Sequence, residues 1–199
     1  RRYLSGFSNL PVDGAPGRAW KLAYPKAFEP EVSGHTRAAG VDSFLAWSIM
    51  REESGFVADI ESWANAVGLM QLILPTAEKM AKAGSVVGVS PTLLRNPDTN
   101  IRLGVRYLRH LQQILPHPAL IIAGYNAGEA KVGSWVKEKG GLTMDLFIAS
   151  IPYRQTRGYT MRVLQSWFRY HVLYGTGPPK LDMSKARTFR KKRRGKRRP

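Results

Sequence analysis

The sequence predicts an all-α domain on three observations. Apolar residues recur at three- and four-residue spacing in segment after segment, the period of one helix face. N-cap residues, first-turn prolines and glycines just past the end bracket those segments. No sustained polar–apolar alternation occurs, and no Asn-Gly or Asp-Gly hairpin joins alternating runs. The pattern accounts for roughly six to nine short helices.

Residues 1–40 are rich in Gly and Pro, with isolated aromatics at Trp20, Tyr24 and Phe28. They read as an irregular segment or linker with at most one short helix, partly packed on the domain. The domain itself spans 41–178. Asp42 is an N-cap, and Val41, Leu45 and Ile49 share the face of a helix running to Glu53 or Ser54. Gly55 ends it. Ser62 to Gly68 is a loop by composition. Pro75-Thr76 opens a helix through Ala83 that stops at Gly84, and Ser90-Pro91 starts a short one. Asn96-Pro97-Asp98 caps a longer helix to Leu115 with the stripe Ile101, Val105, Leu108, Leu111 and Leu115. Gly104 within it is expected to permit close helix approach.

Pro118 to Gly124 is uniformly apolar and reads as a short buried helix, followed by a loop at Tyr125-Asn126-Ala127-Gly128. Glu129–Lys139 and Thr143–Ala149 are further helices. Thr156–Tyr174 closes the domain, with Tyr159, Val163, Trp167, Tyr170 and Tyr174 as core and groove-wall residues. Residues 179–199 read as a basic disordered tail.

Composition bounds the function. The 199 residues are 43% hydrophobic and 10% aromatic, enough for one packed domain with tails. No run is long and apolar enough for a membrane helix, and no signal peptide is visible. The first residue is Arg1 rather than Met, so a longer precursor is expected. Cys is absent, which excludes disulfides, thiolate nucleophiles and Cys-ligated metals. His35, His110, His117 and His171 show no metal-ligand spacing, and neither a metal nor a cofactor is expected. The net charge of +17 is uneven: from Lys180 to Pro199 there are eleven cations against Asp182 alone. Such a block repels itself and acts as a sticky arm for anionic polymers or a membrane surface. The body has no helix-turn-helix, zinc-finger or RNA-recognition signature, so no specific nucleic acid is expected.

Cleaving a glycosidic bond needs a proton on the leaving oxygen and a stabilised oxocarbenium-like centre. The chain offers one convincing carboxyl position, the pair Glu52 and Glu53. It lies at the end of an apolar helix, and the wall Gly68-Leu69-Met70-Gln71 follows. Desolvation against such a wall keeps a carboxyl protonated as a general acid. Helical phase does not decide between Glu52 and Glu53. Gln71 brings an amide suited to sugar hydroxyls or an N-acetyl group. Tyr125 brings a ring face and a hydroxyl. Asn126 holds its loop or contacts substrate. Ser54 and Ser62 either orient the acid and substrate or cap backbone groups. Met70 is read as wall more than contact.

Five blocks stand in one order: Arg51-Glu52-Glu53-Ser54; Ser62 through Gly68-Leu69-Met70-Gln71; Asn96 through Leu108; Tyr125-Asn126-Ala127-Gly128; and Ile151 through Tyr159. Together they resemble the catalytic domain of the soluble lytic transglycosylases, related in fold to goose-type lysozyme. The resemblance covers about residues 25–175. It implies a lysozyme-like α-helical domain with a substrate groove, acting on bacterial peptidoglycan in the periplasm or cell envelope. The family cleaves the β-1,4 bond between N-acetylmuramic acid (MurNAc) and N-acetylglucosamine (GlcNAc) without water, leaving a 1,6-anhydromuramoyl end. Its acid directly precedes Ser, which selects Glu53 beside Ser54. Glu52 stands where the family often has Gln.

By the resemblance the expected substrate-binding set is Ser54, Ser62, Met70, Gln71, Tyr125, Asn126 and Gln155, around Glu53 as single acid and base. Two positions depart from the pattern. Gln155 stands where the family usually has Glu, which puts a second acid in doubt. Gln71-Leu72-Ile73-Leu74-Pro75 replaces the commoner Gln-x-Met-Pro, so no Met contact is carried over there. The competing readings are a lysozyme-type hydrolase of the same fold and a non-catalytic module binding cell wall or polyanions.

Overall fold

The computed structural model describes residues 14–82 and 86–189. Residues 1–13 of the N-terminal segment, the expected helix end at Ala83-Gly84 and residues 190–199 of the tail lie outside those residues. The described chain forms α1 (Gly14–Ala23), α2 (Glu29–Ala39), α3 (Ser43–Glu53), α4 (Leu74–Lys82), α5 (Pro91–Leu94), α6 (Pro97–Ile114), α7 (Pro118–Ala127), α8 (Glu129–Lys139), α9 (Met144–Ala149) and α10 (Arg154–Tyr174). A 3₁₀ turn, Ala186–Phe189, follows. Isolated bridges at Glu61–Val67, Val67–Leu72 and Thr143–Lys185 are the β-type pairings among these residues. The all-α prediction holds.

The N-terminal segment holds one helix more than expected. α1 and α2 occupy the segment expected to be irregular. Pro30 sits in the first turn of α2, where its missing N–H costs nothing, and Gly40 closes the helix at φ 63. Punctuation that read as breakage is a start and a stop.

The chain divides into two compact units, Arg1–Tyr107 with Arg162–Lys180 and Leu108–Met161 with Leu181–Pro199. Within the first, α3 is buried from Leu45 to Met50. Its N-cap Asp42 accepts from the Phe44 amide at 2.8 Å, a cap worth about 1 kcal/mol. The second carboxylate oxygen of Asp42 accepts from Trp167 Nε1 at 2.6 Å and meets His171 Nε2 at 2.9 Å. One side chain thus both starts α3 and ties it to α10. Tyr170 stacks on Trp47 at 6.0 Å and meets Tyr24 edge-on at 5.6 Å. Chain 23–28 is sewn to this cluster: Trp47 Nε1 donates to Ala27 O, Tyr170 OH to Pro25 O and Tyr174 OH to Tyr24 O, each at 2.8 Å.

Within the second unit, α7 is apolar on every side and buried from Ala119 to Gly124. Gly124 leaves room for Leu111 and Leu115; a Cβ there would lie 3.1 Å from the Leu115 side chain. Chain 182–188 packs on this unit. The Met144 amide donates to Met183 O, Ala186 N to Leu142 O at 3.0 Å and Arg187 N to Gly140 O at 3.0 Å, and Ala186 is buried. The expected disorder from 179 therefore does not hold through 188. Ala186, the backbone amides and Arg187, whose Nε donates to Gly140 O at 3.3 Å, secure this stretch.

Candidate active site

α3 delivers its last turn, Arg51 to Glu53, half-buried at the end of a buried helix. Ser54 closes it. Its amide donates to Met50 O at 3.0 Å, its hydroxyl donates to the same carbonyl at 3.1 Å, and that hydroxyl accepts from the Phe56 amide at 3.0 Å. Gly55 and Phe56 then turn the chain at φ 58 and φ 72. For Phe56 that left-handed backbone is uncommon and marks a constrained turn. Ser54 is buried and bonded to the backbone, the capping alternative of the two roles expected for it, which fixes where the helix ends.

The two glutamates take adjacent places at the end of α3. Arg162 Nε, from α10, donates to Glu52 Oε1 at 2.7 Å; the Glu52 side chain is 11% exposed against 54% for Arg162. This charge-assisted bond dedicates Glu52 to holding α3 against α10. Glu53 ends the helix one residue further on.

The loop 60–72 is held mainly by Asn100 of α6, which is fully buried. Its Oδ1 accepts from the Met70 amide at 2.7 Å, and its Nδ2 donates to Val67 O at 2.9 Å and Leu94 O at 2.8 Å. Gly68, at φ 81, lets Asn100 approach; a Cβ there would lie 2.8 Å from Asn100 Cγ. One turn on, Gly104 accommodates Met70, with a Cβ falling 2.9 Å from Met70 Cβ. The close approach expected at Gly104 is therefore to a side chain, not to a helix. Met70 is fully buried, so it packs the loop and offers no surface to a substrate in this conformation.

Gln71 sits at φ 46, again left-handed for a non-glycine. Its Nε2 donates to Ile60 O at 3.1 Å and to Gly68 O at 3.0 Å. Both amide hydrogens are used, which orients the side-chain carbonyl. Ser62 Oγ accepts from the amides of Ala64 at 3.3 Å and Ala66 at 3.1 Å, so Ser62 organises the turn that follows it.

The remaining expected residues belong to the second unit. α7 does not stop at Gly124: the Gly128 amide bonds Gly124 O at 2.8 Å, and Tyr125 and Asn126 fall in the helix's last turn rather than a loop. Gly128, at φ 83, is what ends it. Asn126 Oδ1 accepts from Thr156 Oγ1 at 2.7 Å, and Arg157 donates to Ile151 O at 3.1 Å beyond the end of α9. Asn126 thus holds α7 to the start of α10, and Arg157 places a cation where helix carbonyls point outward. Gln155 is exposed in the first turn of α10.

At the other end of α7, His117 Nδ1 accepts from the Ala119 amide at 3.2 Å while Nε2 meets Asp182 O at 2.9 Å. An amide can only donate and a carbonyl only accept, so the neutral Nε2–H tautomer is the one that fits. Burial holds the His117 pKa below the ordinary histidine value, against a smaller upward pull from the Asp182 carbonyl and carboxylate.

Glu53, Ser54, Ser62, Met70 and Gln71 thus fall in the first unit, and Tyr125, Asn126 and Gln155 in the second. Sequence reasoning gave no role to Asn100 or Arg162. Asn100 had a signal: it lies four residues before Gly104 on the side of α6 that carries Leu108 and Leu111, and a polar residue there must find partners. The pairing of Arg162 with Glu52, 110 residues apart, has no such trace.

Comparison with known proteins agrees with the motif reading. The family described as Transglycosylase SLT domain matches residues 32–148. A putative soluble lytic murein transglycosylase of Haemophilus influenzae is 34% identical over 86% of this chain and 30% of its own length. The soluble lytic murein transglycosylase of Escherichia coli K12 is 33% identical over 78% of this chain and 25% of its own. The chain therefore spans under a third of these relatives. Among solved structures, an inactive variant of the lytic transglycosylase Slt from Pseudomonas aeruginosa, with one glutamate replaced by glutamine, superposes with a TM-score of 0.76 at 32% identity. It covers 81% of this chain and 26% of that one. The 70-kDa soluble lytic transglycosylase in complex with bulgecin A gives a TM-score of 0.74 at 31% identity, over 82% of this chain and 27% of that one. With the match spanning most of its length, and the fold agreeing, the chain belongs to the transglycosylase SLT domain family.

Proposed function

We propose that this chain is a lytic transglycosylase of peptidoglycan, with residues 41–178 as its catalytic part. It cleaves the MurNAc-β-1,4-GlcNAc bond and leaves a 1,6-anhydroMurNAc end. The observation that carries the reading is the Glu53-Ser54 pair at the capped end of buried α3, with Glu53 half-buried directly before Ser54. Names of relatives that act on murein support the substrate, and a relative inactivated by a single Glu-to-Gln change supports dependence on one acid.

In the proposed reaction Glu53 gives its proton to the glycosidic oxygen as the C1–O4 bond breaks. The GlcNAc leaves with its 4-hydroxyl restored. The N-acetyl carbonyl of the MurNAc stabilises the sugar cation at C1, which replaces a second carboxyl. Glu53, now a carboxylate, removes the proton of the MurNAc C6 hydroxyl, and O6 closes on C1. The acid is regenerated and no water enters. One group acting as acid and then base is ordinary proton-transfer logic, and proximity favours the tethered hydroxyl over water.

The Gln71 carbonyl, aimed by its two donated bonds, accepts from a sugar hydroxyl or N-acetyl N–H. Tyr125 offers a ring face and hydroxyl to a sugar. Murein as substrate places the protein in the cell envelope or periplasm. The test is digestion of purified sacculi: 1,6-anhydromuropeptides support the reading, and reducing-end products would replace it with a hydrolase.

A further inference from the structure

We propose that Trp63 is a carbohydrate-stacking platform, a subsite for a pyranose ring of the glycan strand apart from the groups assigned above. Trp63 is 95% exposed, whereas Trp20, Trp47, Trp135 and Trp167 are all buried. Single exposed apolar residues are common and mean nothing by themselves. This one differs in how firmly its backbone is held.

The turn carrying Trp63 is closed on both sides. The Ser62 amide donates to Ala66 O at 2.9 Å, the Asn65 amide to Ser62 O at 3.0 Å, and Ser62 Oγ takes the Ala64 and Ala66 amides. Asn65 turns the chain at φ 57. Before the turn, Glu61 pairs with Arg95 at 2.5 Å and Ile60 O is gripped by Gln71. After it, Val67 O is gripped by Asn100. A turn held this firmly presents its exposed indole to a flat apolar partner with little further backbone ordering needed on binding.

Charge selects the partner. The stretch 57–73 carries two charged residues, Asp59 and Glu61, both acidic in a chain of net charge +17. An aromatic tip that dips into an anionic membrane is normally ringed by Lys and Arg. Glu61 is compensated by Arg95, and the stretch itself holds no Lys or Arg to draw an anionic surface or nucleic acid to the indole. A glycan strand has the matching chemistry: C–H faces for the indole and hydroxyl donors for carboxylates. Val57, Ile60 and Ile73 are further exposed apolar residues of the same segment. Continuity with Gln71 through Ile60 links this surface to the proposed substrate loop, so the inference rests on the transglycosylase reading.

The test uses the full chain carrying Glu53→Gln, so that nothing is turned over, titrated with tetra-N-acetylchitotetraose and pelleted with murein sacculi. Adding Trp63→Ala is expected to weaken both by about tenfold, the scale of one aromatic stack, while Trp63→Phe stays within about threefold. Thermal midpoints of all three should agree, since the side chain is in water. Undiminished binding by Trp63→Ala, or no oligosaccharide binding by the Glu53→Gln protein, overturns the subsite. So does a loss confined to phosphatidylglycerol vesicles with glycan binding intact, which would make the loop a membrane contact. Anhydro products from the wild type with unchanged Trp63→Ala affinity would sink the subsite and leave the enzymatic reading standing. Trp63-dependent glycan binding without any product would do the reverse.

Discussion

Replacing Asn100 by Ala removes one side chain that satisfies three buried backbone groups: the Met70 amide and the carbonyls of Val67 and Leu94. Each such bond contributes about 1 kcal/mol net, and a buried group left without a partner costs about 1–3 kcal/mol. The Val67 carbonyl keeps the Leu72 amide at 3.1 Å, and partial relaxation and an entering water lower the sum further, so a loss of about 2–4 kcal/mol is expected. Against a typical total of about 5–15 kcal/mol that is a large fraction. Urea denaturation of wild type and Asn100→Ala reads the difference in stability, and hydrogen exchange at the Met70 amide reads its location. Exchange at Met70 should rise more than at α3 amides such as Met50. A loss under about 1 kcal/mol, with Met70 protection unchanged, would refute the clasp. Asn100→Asp keeps the acceptor for Met70 but sets carboxyl oxygen against two carbonyls, so it should be the more damaging of the two.

Three further outcomes follow from the same geometry. Gly104→Ala forces Met70 aside and should cost about 1–3 kcal/mol, shrinking in a Met70→Ala background where the overlapping sulfur and terminal methyl are gone and the Cβ overlap alone remains; equal costs in both backgrounds would contradict the contact. Glu52→Gln should lower stability by no more than about 1 kcal/mol, since its partner is half-exposed, and should leave turnover of sacculi within a few-fold of wild type. For His117 the folded pKa lies below the unfolded value of 6.5, so the unfolded chain takes up the proton first. Its contribution to stability is complete above pH 6.5 and is lost as pH falls through and below that value; His117→Asn, which keeps an N-cap acceptor, should flatten that part of the pH–stability curve.

Legibility of this fold follows from where its information lies. α3, α6 and α8 were readable because caps and periodicity are local: Asp42, Asn96-Pro97 and the Gly128–Gly140 bracket all act within a few residues of the helix they bound. The placing of α1 and α2, where one short helix at most was expected, was not readable because Gly and Pro weigh as breakers until their position relative to the helix end is known. The extension of α7 through Tyr125 and Asn126 was missed because the backbone bond from Gly128 to Gly124 has no sequence signature apart from Gly128 itself.

At the candidate site the identities were readable and the roles were not. Ser54, Ser62, Met70 and Asn126 stand in the motif blocks, yet each is engaged in holding backbone, core or a neighbouring helix. A motif records which residues occur together. Whether a hydroxyl faces a substrate or a carbonyl depends on burial that periodicity does not encode. The blocks therefore read as much as a scaffold specification as a list of contacts: Asn100 and Gly104 explain why the α6 block accompanies Gly68-Leu69-Met70-Gln71, and Thr156 explains why the last block accompanies Tyr125-Asn126.

The most direct measurement is mass spectrometry of muropeptides released from purified sacculi by the wild-type chain and by Glu53→Gln. The account predicts products one water lighter than hydrolysed muropeptides, carrying 1,6-anhydro ends, and a loss of about three orders of magnitude or more in their rate with Glu53→Gln. Equal product formation by the variant, or reducing-end products from the wild type, would contradict it.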